Sequence, residues 1–146
     1  MSGVILNDGK MAFDDRGSVG FVNGYDFDRV KRFYTVRNHT AGFIRAWHGH
    51  RYEAKAVTVV QGTAIVACVK IDNWNCPDRN VIIDRLVMSG THPQVLQIPA
   101  GYANGFKTLT HDAILMFFST ATVEESKGDD IRFPAHYWDP WKVEER

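Results

Sequence analysis

Cysteine is scarce in this sequence, with Cys68 and Cys76 the only two among 146 residues. Cys68 sits in an apolar run and Cys76 in a polar loop, a placement that excludes a disulfide framework and a repeated metal knuckle and leaves two free thiols. Also lacking is an excess of charge, since 17 lysines and arginines balance 17 aspartates and glutamates. That balance argues against nucleic acid or an anionic membrane as partner, so any bound anion must meet a local cluster of cations. No apolar run is long enough to cross a bilayer, and Met1 to Lys10 carry no signal-peptide pattern, so the expected location is the cytoplasm. Helical periodicity is nearly missing too.

What is present is a succession of short β-branched and aromatic runs separated by turn residues, the pattern of an all-β sandwich or barrel. Strands are expected over 32–36, 42–47, 54–61, 63–71, 80–88, 94–98 and 114–120. The pair flanking Gln61-Gly62 reads as a hairpin, with Val57, Val59, Ala64, Val66 and Cys68 on one side. The length suits one domain over 1–146. After Thr120 a polar stretch gives way to Tyr137, Trp138 and Trp141, which reads as a short helical turn docking its aromatics on the barrel. Asp129-Asp130 reads as a solvated acidic turn.

Titratable groups concentrate between Gly42 and Gly62, in the order Arg45, His48, His50, Glu53, Lys55. Strand side chains alternate, so His48 and His50 share one face while Trp47 and Gly49 take the other. Paired imidazoles next to a lysine and an arginine suit proton transfer near neutral pH or metal binding. His-x-His followed by Glu53 and by Pro99-x-Gly101 resembles the two metal motifs of the cupin superfamily. However, Asn104 stands where the second motif ends in a histidine, and amide oxygen is a poor substitute for imidazole. The expected site therefore holds neither metal nor cofactor.

Several segments together resemble one family: Phe13-Asp14-Asp15-Arg16-Gly17, Arg37-Asn38-His39-Thr40, Ile44 to His48, Lys55 ahead of Val59-Val60-Gln61-Gly62, and Ile98 to Phe106. In order and spacing they are similar to the dTDP-4-dehydrorhamnose 3,5-epimerases, from about Phe13 to Trp141. The resemblance implies a cupin barrel, also called a double-stranded β-helix or jelly roll, that forms a homodimer. It implies an enolate mechanism on a nucleoside-diphosphate 4-keto-6-deoxysugar, epimerising C3, C5 or both, in deoxysugar or surface polysaccharide biosynthesis. His48 is then the base and Lys55 the group that stabilises the enolate. Arg16 and Arg45 contact the diphosphate or sugar, one of them from the neighbouring subunit, and Asn38 and Asn104 belong to the same substrate-binding set.

This chemistry suits the residue types on its own terms. A proton beside a ketone is acidic only because the carbanion spreads onto oxygen, so a base at carbon needs a cation or donor at oxygen. The sequence departs from the family in three places, the first being Asn104 in place of the histidine of the Pro-x-Gly segment. Phe117, or its neighbour Met116 or Phe118, stands where the family has its acidic tyrosine, and none of these can give a proton; the carboxylate that pairs with the base in the epimerases is expected beyond Trp141, where this sequence soon ends. Lys31-Arg32-Phe33-Tyr34 and the Arg-x-x-His-x-His run from Arg45 to His50 are similar instead to the sugar 3,4-ketoisomerases. There His50 shuttles the proton between neighbouring carbons and Tyr34 assists. A third alternative is a cupin that binds the sugar nucleotide without turning it over.

Overall fold

The structure is a computed structural model and describes residues 3–146. Among the described residues, twelve strands and one short helix follow one another: β1 (Ile5–Asp8), β2 (Lys10–Asp14), β3 (Gly17–Phe21), β4 (Arg32–Val36), β5 (Ile44–His50), β6 (Lys55–Gln61), β7 (Thr63–Lys70), β8 (Asp84–Ser89), β9 (Gln94–Ile98), β10 (Tyr102–Thr108), β11 (Ile114–Ser119), α1 (Val123–Lys127) and β12 (Ile131–Arg132). They build two five-stranded antiparallel sheets, ordered β1-β9-β6-β11-β4 and β12-β5-β10-β7-β8, plus a separate ribbon of β2 and β3. This is the cupin-like jelly roll, with the two sheets facing each other across a core.

Gln61-Gly62 does not close a hairpin. β6 pairs with β9 and β11 in one sheet while β7 pairs with β8 and β10 in the other, so the chain crosses between sheets at this turn. Gly62 allows the sharp crossing, with φ at +71° and backbone of Ala113 where a Cβ would stand. Val57, Val59, Ala64, Val66 and Cys68 nevertheless share one core cluster, because they meet face to face across the sandwich. The segment expected as a strand from 80 to 88 is a strand only from Asp84 onward.

β7 is buried on both faces, which explains its unbroken apolar run. Ala64, Val66 and Cys68 join the core between the sheets, whereas Ile65, Ala67 and Val69 pack into a second cluster on the outside of the β5–β10–β7 sheet. That second cluster is roofed by the C-terminal tail. The indole N–H of Trp47 donates to the carbonyls of Ala135 and Trp138, each at 3.1 Å, and those of Trp138 and Trp141 reach Asp78 and Ala135 at 2.9 and 2.8 Å. Trp47, Trp138 and Trp141 are thus core residues whose one polar atom each is satisfied. The aromatics come from the irregular tail; α1 itself buries none of its residues.

Candidate functional site

β5 sets the geometry of the site through a bulge. Asn104 of β10 lies opposite His48 and Phe106 opposite Arg45, so Ala46 and Trp47 together oppose Gly105. The extra residue reverses side-chain parity, and Arg45 joins His48 and His50 on the inward face although it lies an odd number of positions from each. Gly105 is required at this point because a Cβ would collide with that of Ala46.

A cavity of about 320 Å³ opens between the sheets. Its floor and walls carry Tyr34 from β4, Arg45, His48 and His50 from β5, Lys55 from β6, Asn104 from β10 and Phe117 from β11. α1 and the turn into β12 close one side with Ser126, Lys127, Asp130 and Arg132. Five cations, Arg32, Arg45, Lys55, Lys127 and Arg132, face one lining carboxylate, Asp130. In a chain without net charge, this is the local excess that an anionic ligand needs.

His48 Nδ1 stands 4.0 Å from Asp130 Oδ1, and Asp130 is held by the Arg132 guanidinium at 3.0 Å. A carboxylate thus stands beside His48 from within the chain, and of the Asp129-Asp130 pair expected as a solvated turn only Asp130 is exposed. Asp129 is buried, and its carboxylate accepts the backbone N–H groups of Arg51, Tyr52 and Glu53 at 2.7, 2.9 and 2.9 Å, which fixes the turn after β5. Burial pulls the Asp130 carboxyl upward, but Arg132 and the imidazoles outweigh it, so it titrates below the ordinary carboxylate range.

The two imidazoles differ. Burial, then the charges of Arg132 and Lys55, lower His48 from its ordinary 6.5 to about 4, against the opposing pull of Asp130. His48 is therefore neutral throughout the neutral range, with its ring free to accept a proton although burial has weakened it as a base. His50 is lowered as well, by burial first and then by Lys55. Its Nδ1 lies 2.6 Å from the Asp129 carbonyl, which can only accept, so Nδ1 carries the proton. The other nitrogen, Nε2, is buried without a hydrogen-bond partner.

If His48 is the base, the acid limb of kcat/KM will bend near pH 4 and not near 6.5, measured over pH 3.5–8. Stability follows the same group. Between about 4 and 6.5 the folded chain binds fewer protons than the unfolded one, so His48 makes stability rise with pH across that window.

Lys55 is mostly buried, with Nζ 3.5 Å from Glu53 Oε2 and lying 5.6 and 5.9 Å from the ring centres of Tyr34 and Phe117. Those two rings stack at 5.3 Å, so the Tyr34 phenol stands beside the Phe117 phenyl. Asn38 lies behind the cavity wall, accepting from Arg45 Nε at 2.9 Å and donating to Thr108 Oγ1 at 3.1 Å, which aims the guanidinium. Arg16 lies outside the cavity, at the tip of the β2–β3 ribbon, paired with Asp14 at 2.6 Å. Asn104 donates to the His48 carbonyl at 3.3 Å and is buried. Among the described residues, no three His, Cys, Asp or Glu side chains are grouped to hold a metal ion.

Arg32, Ser126, Lys127, Asp130 and Arg132 line the cavity without having been picked as site residues from the sequence. Arg32 was within reach, two residues before Tyr34 on one strand and hence on the same face. The others come from a segment with no strand pattern.

The same architecture occurs in solved structures. The dTDP-4-dehydrorhamnose 3,5-epimerase of Bacillus anthracis, bound to TDP and PPi, superimposes with a TM-score of 0.75 at 20% identity, over 99% of this chain and 87% of that one. QdtA, a sugar 3,4-ketoisomerase from Thermoanaerobacterium thermosaccharolyticum in complex with TDP, gives 0.69 at 17% identity, over 94% and 93%. The rmlC epimerase of Mycobacterium tuberculosis gives 0.68 at 19% identity; 83% of this chain is covered, and the match spans only 64% of that longer chain. No curated protein sequence matches. The family profile described as dTDP-4-dehydrorhamnose 3,5-epimerase matches residues 1–136, nearly the whole sequence. With the barrel and its His–Lys cavity in place, that match decides the affiliation: the chain belongs to the dTDP-4-dehydrorhamnose 3,5-epimerase family.

Proposed function

We propose that this chain is an isomerase that epimerises a nucleoside-diphosphate 4-keto-6-deoxysugar at a carbon beside the ketone. The observation that carries the reading is the placing of neutral His48, with Asp130 behind it, in one cavity with Lys55. His48 removes the C–H proton through Nε2, leaving the electron pair to become the enolate. The Lys55 ammonium donates to the enolate oxygen, which carries the negative charge. Protonation of the planar carbon from the opposite side inverts the centre, and Tyr34, stacked on Phe117, is the phenol available for that step. Arg45, Lys127 and Arg132 supply the cations for the diphosphate. Asn104 and Phe117 shape the sugar end.

The relatives support the substrate class: the Bacillus anthracis epimerase was solved with TDP and PPi, and QdtA with TDP. A second reading, 3,4-ketoisomerisation, is favoured by one specific feature. His50 presents an unpartnered Nε2 on the same face as His48, suited to carry a proton to the neighbouring carbon without crossing the ring. NMR identification of the product from a panel of nucleotide-linked 4-keto sugars separates the two. An epimer at C3 or C5 supports the first reading, a 3-keto product overturns it in favour of the second, and binding without turnover overturns both and leaves a sugar-nucleotide-binding cupin.

We further propose that the protein acts as a homodimer. The β2–β3 ribbon pairs with neither sheet and carries exposed Phe13 and Val19, a surface suited to a second copy, and Arg16 at its tip then reaches the partner's cavity.

A further inference from the structure

A buried carboxylate that no step of the proton transfer uses lies against Lys55. Glu53 is 3% exposed, and its two oxygens have different neighbours. Oε1 accepts the hydroxyl of Ser126 on α1, and that hydroxyl in turn accepts Arg32 Nη2 at 2.9 Å. Oε2 has no hydrogen-bond partner and faces the Lys55 ammonium at 3.5 Å. α1 is fastened over this point by a capping box at Thr122, by Lys31 on Glu125 at 2.9 Å, and by Arg32 Nε on the Ala121 carbonyl at 3.1 Å. Helix, serine, carboxylate and lysine thus form one chain of contacts leading from the rim of the cavity to the group placed at the enolate oxygen.

We propose that Glu53 is the positioning residue for Lys55. Its negative charge keeps the amine protonated and aimed into the cavity, and Ser126 of α1 holds the carboxylate in register. Charge is the essential property, because the other groups sharing the cavity with Lys55 are mainly cationic or neutral. They are Arg45, His48 and His50 on β5, Arg32 and Tyr34 on β4, and Lys127, Asp130 and Arg132 from α1 to β12. On the outer side of β6, Asp26 and Arg29 border the same residue with opposite signs. Asp130 is already engaged by Arg132 and His48. Removing the Glu53 charge therefore leaves the Lys55 ammonium without the carboxylate that faces it at 3.5 Å.

The role assigned to Glu53 rests on the enolate reading for what Lys55 does, yet its test has a readout that does not need turnover. In the full chain, the Lys55 Nζ resonance, identified by its absence from Lys55→Arg, is titrated in wild type and in Glu53→Gln, which preserves size and the bond to Ser126. The expected result is a proton affinity about tenfold or more lower in E53Q. With substrate, kcat of E53Q should then fall about tenfold on the alkaline side, recover at lower pH, and leave KM within about twofold. Ser126→Ala, which keeps the charge but frees the carboxylate, is expected to lower kcat severalfold at every pH while Lys55 titrates as in wild type. Identical Lys55 titration in E53Q and wild type overturns the proposal, as does a pH-independent fall in kcat with an equal rise in KM. If the wild type turns over no keto sugar, the enolate reading fails while the amine titration still decides whether Glu53 holds the charge.

Discussion

Replacing His48 by Asn should lower kcat by roughly 10²–10⁴-fold, the range contributed by a positioned general base. Nucleotide affinity, measured by calorimetry with the nucleoside diphosphate alone, should stay close to wild type, because the cations that line the cavity are untouched. Thermal unfolding should hardly move: the His48 side chain is 29% exposed and its contact with Asp130 is a loose 4.0 Å. Loss of turnover at constant affinity and constant stability is the signature of a group acting on the reacting atom. A variant that keeps wild-type turnover would remove His48 from the mechanism, and one that merely unfolds would mark it as structural.

The second large effect is expected at Lys55, where activity and stability should both suffer and can be separated. Lys55→Met removes the donor at the enolate oxygen, an electrostatic contribution worth about 10²–10³-fold in kcat. It also leaves Glu53, whose side chain is 1% exposed, as a buried carboxylate without its cation. Breaking a buried pair from one side costs about 3–5 kcal/mol, so the unfolding midpoint in denaturant should fall clearly. Adding Glu53→Gln to Lys55→Met should restore most of that stability, since the stranded charge is then gone, and should restore none of the activity. A double variant as unstable as the single one would show that packing, and not the ion pair, holds this corner of the barrel.

Much of this was legible in the sequence, because two strong signals govern it. Period-two alternation in β-branched runs placed most strands, and the proximity of Arg45, His48, His50 and Lys55 marked the site, where all four now line one cavity. The failures have physical causes. A Gln-Gly turn between two apolar runs signals a hairpin as well as a crossing between facing sheets, since both put the same residues in the core; only the pairing partners of β6 and β7 distinguish them. The bulge at Ala46-Trp47 reverses parity on β5 and could not be read from alternation alone. Two adjacent aspartates look like a solvated turn until Asp129 is seen to accept three backbone N–H groups and Asp130 to stand behind an imidazole. Both depend on contacts about 80 residues apart in the chain, such as the 79 between His50 and Asp129. Local pattern carries no trace of such contacts.

The central claim is that this cavity ionises a carbon beside a ketone. The measurement that addresses it most directly is deuterium wash-in by ¹H NMR, with a nucleoside-diphosphate 4-keto-6-deoxysugar and the wild-type protein in D₂O. The expected result is loss of the proton signal at the carbon beside the carbonyl, far faster than in buffer and abolished in His48→Asn. Exchange at the buffer rate with the substrate bound, or exchange undiminished in the variant, would contradict it.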